Sequence, residues 1–213
     1  MPRAASAAAP TVGKLPRAFY DRPTLDVARD LLGKVLVHRR QGVVTSGAIV
    51  EVEAYIGEDD PACHAAPGPT PRNEPLYGPP GRAYVYLNYG IHCLVNVVTE
   101  AEGAPAAVLL RALDPVDGVA VMRRRRARAV KGRRAPLETV ATPDLCRGPG
   151  NLTMAMGITL VENRLDLTGD RLFIEDRGLP SGPTSWGTRI GIRVGTDRPW
   201  RAWVTGNRAV SRM

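Results

Sequence analysis

Residues 49–56, which read IVEVEAYI, constrain the fold of this chain more than any other stretch. In a β-strand, successive side chains point to opposite faces, so one face is apolar while Glu51, Glu53 and Tyr55 share the other. An ordinary solvated sheet surface fits this pattern. A site that presents two carboxylates beside an aromatic ring fits it as well.

The rest of the chain predicts many strands, most of them consecutive, and a few short helices, and we expect an α+β domain. With 213 residues and no linker-like break after residue 16, one domain is expected. Residues 1–16 are rich in Ala and Pro and predict a disordered tail. Predicted strands cover residues 35–38, 43–56, 82–87, 91–98, 106–113, 188–194 and 200–205, a hairpin covers 164–176, and helices cover 24–32, 116–130 and 152–156.

A long loop over residues 57–81 precedes a predicted hairpin. The loop contains seven prolines, and a loop this long is uncommon in a compact domain unless it forms a site. It carries His64 and the sequence TPRN at 70–73. The hairpin turns at Asn88-Tyr89-Gly90, where Asn and Gly suit a tight turn. Tyr89 is therefore expected at an exposed tip, where a tyrosine is also common as a neutral surface residue.

The charge of the chain indicates a phosphate-rich partner. Its net charge is +8 and its pI is about 9.9, which suits nucleic acid or an anionic membrane surface. Basic residues are concentrated in the predicted helix at 116–130 and just after it. A run of charged residues is usually a solvated face, but charge of one sign favours a phosphate-facing surface. A skewed genome composition would also enrich arginine. The basic residues of the predicted helix and its continuation are Arg123, Arg124, Arg125, Arg126, Arg128, Lys131, Arg133 and Arg134.

Targeting and redox signals predict a soluble, unsecreted protein. No apolar run approaches 18 residues, and no basic segment followed by an apolar one opens the chain. Cys63, Cys93 and Cys146 lack Cys-x-x-Cys spacing, which fits reduced thiols in a cytosol.

Two further chemistries remain open at this point. At strand spacing the Cα atoms of Glu51 and Glu53 lie roughly 6.5 to 7 Å apart, which suits a pair of carboxylates that hydrolyses a sugar with inversion. Such a hydrolase would not need the arginine helix. Cys63-His64 and His92-Cys93 offer soft metal ligands, but adjacent ligands match no standard zinc spacing.

Several motifs, in this order, resemble those of one family. They are IVEVEAYIG at 49–57, His64, TPRN at 70–73, PGRAYVYLNYG at 80–90, VLLRALDP at 108–115 and LCRGP at 145–149. Together they resemble the alkyladenine (3-methyladenine) DNA glycosylases of the methylpurine glycosylase type. The similarity runs from about residue 17 to the C-terminus. It implies a curved, mainly antiparallel sheet with peripheral helices and a protruding hairpin.

The resemblance implies a catalytic carboxylate. Glu53 would be the general base that activates the water attacking C1′ of a damaged nucleotide. Arg111 and a backbone carbonyl near Ile190 would help to hold that water. Glu51 would support the structure or the electrostatics of the site. No metal and no organic cofactor is implied.

The resemblance also implies a base pocket in double-stranded DNA. Tyr55 and Tyr86 would stack on an extruded purine, His64 would hydrogen-bond its edge or the sugar-phosphate, and Asn96 would crowd out the amino group of normal guanine. Tyr89 would fill the gap left in the minor groove. Expected contacts to DNA phosphates are Thr70, Arg72, Arg123, Arg126, Gly148 and Gly150.

The chemistry of strand cleavage supplies one more expectation. Glycosylases that also cut the backbone use an amine nucleophile, and the only lysines, Lys14, Lys34 and Lys131, lie outside the proposed pocket. We therefore expect a monofunctional enzyme, acting as a monomer, that leaves an abasic site for a downstream endonuclease. A cytoplasmic, bacterial, nucleoid-associated protein is expected, and the influence of His92 on the pocket stays open.

Overall fold

The structure is a computed structural model that describes residues 13–128 and 140–211. Within these residues, nine strands form one sheet in which all pairings are antiparallel. The strands are β1 (Gly13–Lys14), β2 (Val35–Arg40), β3 (Val43–Ile56), β4 (Ala83–Asn88), β5 (His92–Val98), β6 (Ala106–Asp117), β7 (Leu172–Asp176), β8 (Thr184–Gly187) and β9 (Arg201–Val204). The helices are α1 (Arg17–Tyr20), α2 (Thr24–Leu31), α3 (Val119–Arg128) and α4 (Pro149–Met156), with short 3₁₀ turns over Glu74–Tyr77, Thr142–Asp144 and Leu160–Glu162.

The long strand β3 lies at the centre of the sheet. The strand order is β1-β7-β2-β3-β6-β5-β4, and β9 with its partner β8 joins the same edge of β3 as β2. The first half of β3 pairs with β2, and residues Glu51 to Glu53 pair with β9. Because β3 has neighbours along both edges, its polar segment lies inside the protein.

The main core packs the apolar face of β3 against helices. Val50, Val52 and Ala54 belong to a buried cluster that also contains Leu31 of α2 and Leu152 of α4. The alternation predicted for residues 49–56 is therefore confirmed. The opposite face is also buried, since Glu51 and Glu53 are both 0% exposed, and this excludes the solvated sheet surface.

The fold is a mainly antiparallel sheet with a few peripheral helices, which confirms the predicted α+β class. Two predicted boundaries change. Residues 13–16 belong to the domain and not to a tail, because β1 pairs with β7 and Leu15 is buried; residues 1–12 lie outside the described part. The predicted helix at 116–130 begins at Val119, since β6 extends to Asp117.

Two predicted strands near the C-terminus are wrong. Residues 188–194 form an irregular loop, because the Ile190 N–H bonds to a carboxylate and Gly191 has a φ of +80°. In the predicted hairpin 164–176 only β7 is a strand. Its expected first arm instead bonds to β4, where the Arg164 N–H donates to the Ala83 carbonyl over 2.7 Å.

Candidate active site

The carboxylate of Glu53 is enclosed by three groups from three segments of the chain. The Ile190 N–H donates to its Oε1 over 2.7 Å, and the Tyr55 hydroxyl donates to its Oε2 over 2.8 Å. Arg111 forms an ion pair with it, with Nη1 3.1 Å from Oε1. A carboxylate offers about four acceptor positions, so these three contacts fix the orientation of the Glu53 side chain and leave capacity for a water molecule.

Arg111 joins Glu53 to the second carboxylate. Its Nε donates to Glu51 Oε1 over 2.9 Å, and Arg201 Nε donates to the same oxygen over 2.8 Å. The backbone N–H of Ser211 donates to Glu51 Oε2 over 2.8 Å, and the Ser211 hydroxyl donates there too. Burial alone would raise the pKa of Glu51, but Arg111, Ser211 and Arg201 outweigh it and hold that pKa below its usual value. Glu51 is therefore an anchor for Arg111.

A local irregularity of the sheet directs Arg111 toward both carboxylates. Glu51 lies opposite Ala112 while Val52 lies opposite Leu110, so Arg111 is the extra residue of a bulge in β6. A second shift, between Ile49 and Glu51, compensates for it on β3. Bulges of this kind redirect a side chain and are over-represented next to active sites.

A cavity of about 400 Å³ lies beside this network. That volume falls within the ordinary range for small-molecule sites. Its wall combines aromatic, apolar and polar groups from the long loop, the hairpin, β6, α4 and the segment after β8. The lining residues are Tyr55, Ala62, Cys63, His64, Leu76, Tyr84, Tyr86, Asn88, Tyr89, Leu94, Asn96, Ala107, Leu109, Arg111, Pro149, Ile190, Gly191 and Ile192.

The aromatic residues predicted for a base pocket come together in this cavity. The Tyr86 and His64 rings meet at a 67° angle with centroids 4.5 Å apart, and His64 Nδ1 lies 2.9 Å from the Tyr84 hydroxyl. Burial and the nearby Arg72 both lower the pKa of His64, so its neutral form is favoured near pH 7. Asn96 also lines the wall, and its Nδ2 donates to the Tyr84 carbonyl over 3.0 Å.

The hairpin tip beside the cavity exposes apolar side chains. Tyr89 is 87% exposed and Ile91 is 72% exposed. Tyr89 and Gly90 both have positive φ, at 48° and 70°, which is the backbone of a type I′ hairpin turn. The exposed tip predicted for Tyr89 is thus present.

Helix α4 supports the base of the hairpin. The Thr153 hydroxyl donates to the Cys93 carbonyl over 2.6 Å. A Cβ on Gly150 would lie 2.8 Å from the His92 ring, so glycine permits this close packing. His92 therefore packs against α4 and does not line the cavity. Gly148 is the N-cap of α4 with a φ of +85°, and Pro149 brings the first turn of α4 to the cavity wall.

The remaining residues predicted to contact phosphate fall into two groups. Arg72 is exposed beside the cavity, 6.0 Å from the Tyr86 ring centroid, and Thr70 lies in the same loop. Arg123 and Arg126 instead donate hydrogen bonds within the chain. Arg123 donates to the Val140 carbonyl and the Thr142 hydroxyl, and Arg126 donates to the Leu145 carbonyl. The run of positive charge on α3 was interpreted as a phosphate-facing surface, but at these two positions it ties α3 to the following segment. Lys131, Arg133 and Arg134 lie outside the described residues.

The cysteine and histidine pairs do not form a metal site in the described structure. Across residues 13–128 and 140–211, no cluster of three or more His, Cys, Asp or Glu side chains could hold a metal ion. Cys63 and Cys146 are buried free thiols, and burial raises the pKa of Cys63 to about 11.

Sequence reasoning did not identify several residues of this site. Asp60 and Arg189 form a fully buried ion pair behind Tyr55, and Ser211 donates twice to Glu51. The peptide N–H of Ile190 donates to Glu53, a contact that the sequence did not predict. Arg189 directly precedes Ile190, which the resemblance singled out, but Asp60 and Ser211 carry no distinguishing sequence signal.

One family model matches most of this chain. The family model for methylpurine-DNA glycosylase (MPG) matches residues 18–208. Over the described residues, no helix has the length and apolar character needed to cross a membrane.

Relatives from three bacteria align over most of this chain. A protein of Burkholderia lata is 46% identical, with 92% of this chain and 90% of the relative covered. The corresponding values are 45%, 93% and 97% for Clostridium acetobutylicum, and 47%, 93% and 86% for Anaeromyxobacter dehalogenans. All three are provisionally named 3-methyladenine DNA glycosylase. These matches confirm the resemblance found in the sequence motifs: the chain belongs to the methylpurine-DNA glycosylase family.

Proposed function

We propose that this protein hydrolyses the N-glycosidic bond of alkylated or deaminated purines in double-stranded DNA. The observation that carries the proposal is the buried Glu53–Arg111 pair at an aromatic cavity next to an exposed tyrosine. The relatives are named for 3-methyladenine, and we extend the substrates to 7-methylguanine, hypoxanthine and ethenoadenine.

Base flipping accounts for the arrangement of the hairpin and the cavity. A base inside a duplex is inaccessible, and extruding it costs a few kcal/mol of stacking and pairing. Tyr55 and Tyr86 recover part of that cost by stacking on the extruded purine. Tyr89 enters the minor groove and fills the gap, as intercalating side chains do in other proteins that deform DNA.

The hydrolysis needs one base and one water molecule. Glu53 takes a proton from the water, whose oxygen forms a bond to C1′. The C1′–N bond breaks, and its electron pair leaves with the purine. Arg111 and the Ile190 N–H fix the Glu53 carboxylate, and the negative charge of Glu53 stabilises the oxocarbenium-like sugar.

The pocket residues favour damaged purines in two ways. An N-alkylated purine is cationic, so it leaves readily and is attracted to the faces of Tyr55 and Tyr86. Asn96 occupies the space that the exocyclic amino group of guanine would need. Hypoxanthine lacks that amino group and is therefore accepted.

The second carboxylate does not fit the role that a sugar hydrolase would give it. Glu51 is 0% exposed, and Arg111, Arg201 and Ser211 occupy both of its oxygens. An inverting hydrolase needs two carboxyl groups that face one sugar with a water between them. The geometry therefore favours a single catalytic carboxylate.

We propose that the enzyme is monofunctional. Lys14 pairs with Asp170 and Lys34 pairs with Asp176, and among residues 13–128 and 140–211 no lysine lines the cavity. With wild-type protein and an alkylated duplex, borohydride is expected to trap no protein–DNA adduct. A known bifunctional glycosylase run in parallel provides the positive control, and a trapped adduct would show that an amine attacks C1′.

The direct test is base release from a labelled duplex that contains one hypoxanthine, ethenoadenine or alkylated purine, with EDTA present. Alkali should reveal a strand break at the damaged position and none in an undamaged duplex. Binding without any break would leave a non-catalytic DNA-binding protein. Equal activity on simple glycosides would favour a sugar hydrolase. We propose that the protein acts as a monomer in the bacterial cytoplasm, at the nucleoid, and passes abasic sites to an endonuclease.

The hairpin role predicts a selective effect of Tyr89→Asn. Asparagine tolerates positive φ, so the turn is kept while the ring is lost. Base–aromatic stacking contributes about 1 to 3 kcal/mol, so affinity for a duplex with an abasic analogue should fall about 5- to 150-fold. A binding titration measures this, and the melting temperature should stay unchanged. Unaltered affinity would show that Tyr89 does not enter the duplex.

A further inference from the structure

Asp60 and Arg189 form a buried ion pair that neither the sequence motifs nor the proposed chemistry uses. Arg189 Nη1 donates to Asp60 Oδ2 over 2.6 Å, and Nη2 donates to Oδ1 over 2.8 Å. Both side chains are 0% exposed. This two-pronged geometry is the strongest form of an arginine–carboxylate contact and fixes the plane of the guanidinium.

The fixed guanidinium lies against the Tyr55 ring, which lines the cavity. Its carbon lies 4.6 Å from the ring centroid, and Trp200 packs on the same guanidinium at 5.2 Å. Nη1 also donates to the carbonyl of Ala54 over 3.1 Å. Arg189 therefore holds both the backbone before Tyr55 and the ring itself.

The next residue along the chain connects this pair to the proposed general base. Ile190 follows Arg189 directly, and its N–H donates to Glu53 Oε1 over 2.7 Å. The backbone around Ile190 has no regular secondary structure. The anchored side chain of Arg189 therefore helps to determine where that N–H lies.

Asp60 also orders the part of the cavity wall that the long loop forms. Its Oδ1 accepts from the Ala62 N–H over 3.2 Å, and its Oδ2 accepts from the Ile56 N–H over 3.4 Å. These bonds fold the start of the long loop back onto the end of β3. Ala62, Cys63 and His64 then follow along the cavity wall.

We propose that Asp60 and Arg189 are positioning residues that set the relative geometry of Tyr55, Glu53 and His64. This inference rests on the proposed function. Neither Asp60 nor Arg189 needs to touch the purine. The pair acts through Tyr55 and His64, which contact the purine, and through Glu53, which activates the water. Because effective catalysis depends on near-attack geometry, a displacement of about 1 Å can cost about 10²-fold in rate.

The test separates positioning from general folding. We would measure single-turnover base excision at saturating protein, affinity for a duplex that carries an abasic analogue, and melting temperature. The abasic duplex places no base in the cavity, so its affinity reports DNA binding alone. Arg189→Met is expected to lower the excision rate about 10²-fold with unchanged affinity for the abasic duplex.

Two further variants keep the test decisive. The double variant Asp60→Asn/Arg189→Gln removes both charges together and so avoids a lone buried charge; it should fold and still excise slowly. Arg22→Met is the matched control, because Arg22 also pairs with an aspartate (Asp30, 2.9 Å) and stacks on an aromatic ring (Phe19, 4.6 Å), but outside the cavity lining. It should excise at the wild-type rate.

Three results would contradict the proposal. A folded double variant that excises at the wild-type rate would overturn the positioning role. Loss of abasic-duplex affinity in step with the excision rate would do the same, since that is the signature of general disruption. A wild-type protein that binds the duplex but releases no base would overturn the proposed function and the inference with it.

Discussion

Replacing Glu53 with glutamine is expected to lower the single-turnover rate of base excision by about 10² to 10⁴-fold, the usual contribution of a general base. Glutamine has the same shape but cannot take a proton from water at neutral pH. Its amide NH₂ group can face the Tyr55 hydroxyl, which is able to accept a hydrogen bond. Its oxygen can then accept from the Ile190 N–H, so the local fold should survive.

The measurement that checks this is alkali-revealed cleavage, together with binding of an abasic-analogue duplex. Binding should be retained, because the DNA contacts proposed for Tyr89 and Arg72 lie on other segments. Glu58→Gln is a control on the same stretch of chain, since Glu58 contacts the Tyr77 hydroxyl and not the cavity. If Glu53→Gln excised at the wild-type rate, Glu53 would not be the general base.

Replacing Arg111 with methionine should lower the free energy of unfolding strongly. Arg111 is 6% exposed and is paired with both Glu51 and Glu53. Removing one partner of a buried ion pair leaves uncompensated charge and costs about 3 to 5 kcal/mol. Urea unfolding at pH 7 is expected to show a loss of this size, and excision should fall as well. Arg177→Met is the control, because its pairs with Asp117 and Glu175 are partly exposed and such pairs contribute little.

The stability loss in Arg111→Met should depend on pH in a defined direction. The folded-state pKa of Glu51 lies below its ordinary value of 4.5 although burial opposes this, because Arg111, Ser211 and Arg201 favour the charged form. A carboxyl of this kind contributes stability above its unfolded-state pKa and loses it as the pH falls through the folded-state pKa. The difference between wild type and variant should therefore be full at pH 7 and shrink below about pH 4.5. A difference that grew on acidification would contradict the proposed role of the pair.

Side-chain alternation and turn residues in the sequence correctly predicted the strand β3 and the hairpin turn. The bounds of β3 at Val43–Ile56 agree with the sequence prediction, and the tight turn at Tyr89 and Gly90 follows from turn chemistry. The alternation of Ile190, Ile192 and Val194 predicted a strand that does not exist. There the peptide N–H of Ile190 bonds to Glu53, a partner 137 positions away, and no local pattern reveals such a bond.

The site was predictable only to the extent that its motifs were recognisable. Tyr55, Tyr86, His64, Asn96 and Arg111 do line one cavity. Their supporting partners could not be found in this way, because each is defined by a three-dimensional contact and not by spacing. Charge alone also did not reveal that Arg123 and Arg126 donate to Val140, Thr142 and Leu145 in a later segment.

The contact between Ser211 and Glu51 has a consequence for the order in which the network around Arg111 can form during synthesis. The two residues are 160 positions apart, so the ribosome makes Glu51, Glu53 and Arg111 long before the donor that completes their network. A nascent chain that stops short of residue 211 lacks both hydrogen bonds from Ser211 to Glu51. The hydrogen-bond network around Glu51 and Arg111 is therefore complete only when residue 211 has folded back onto β3.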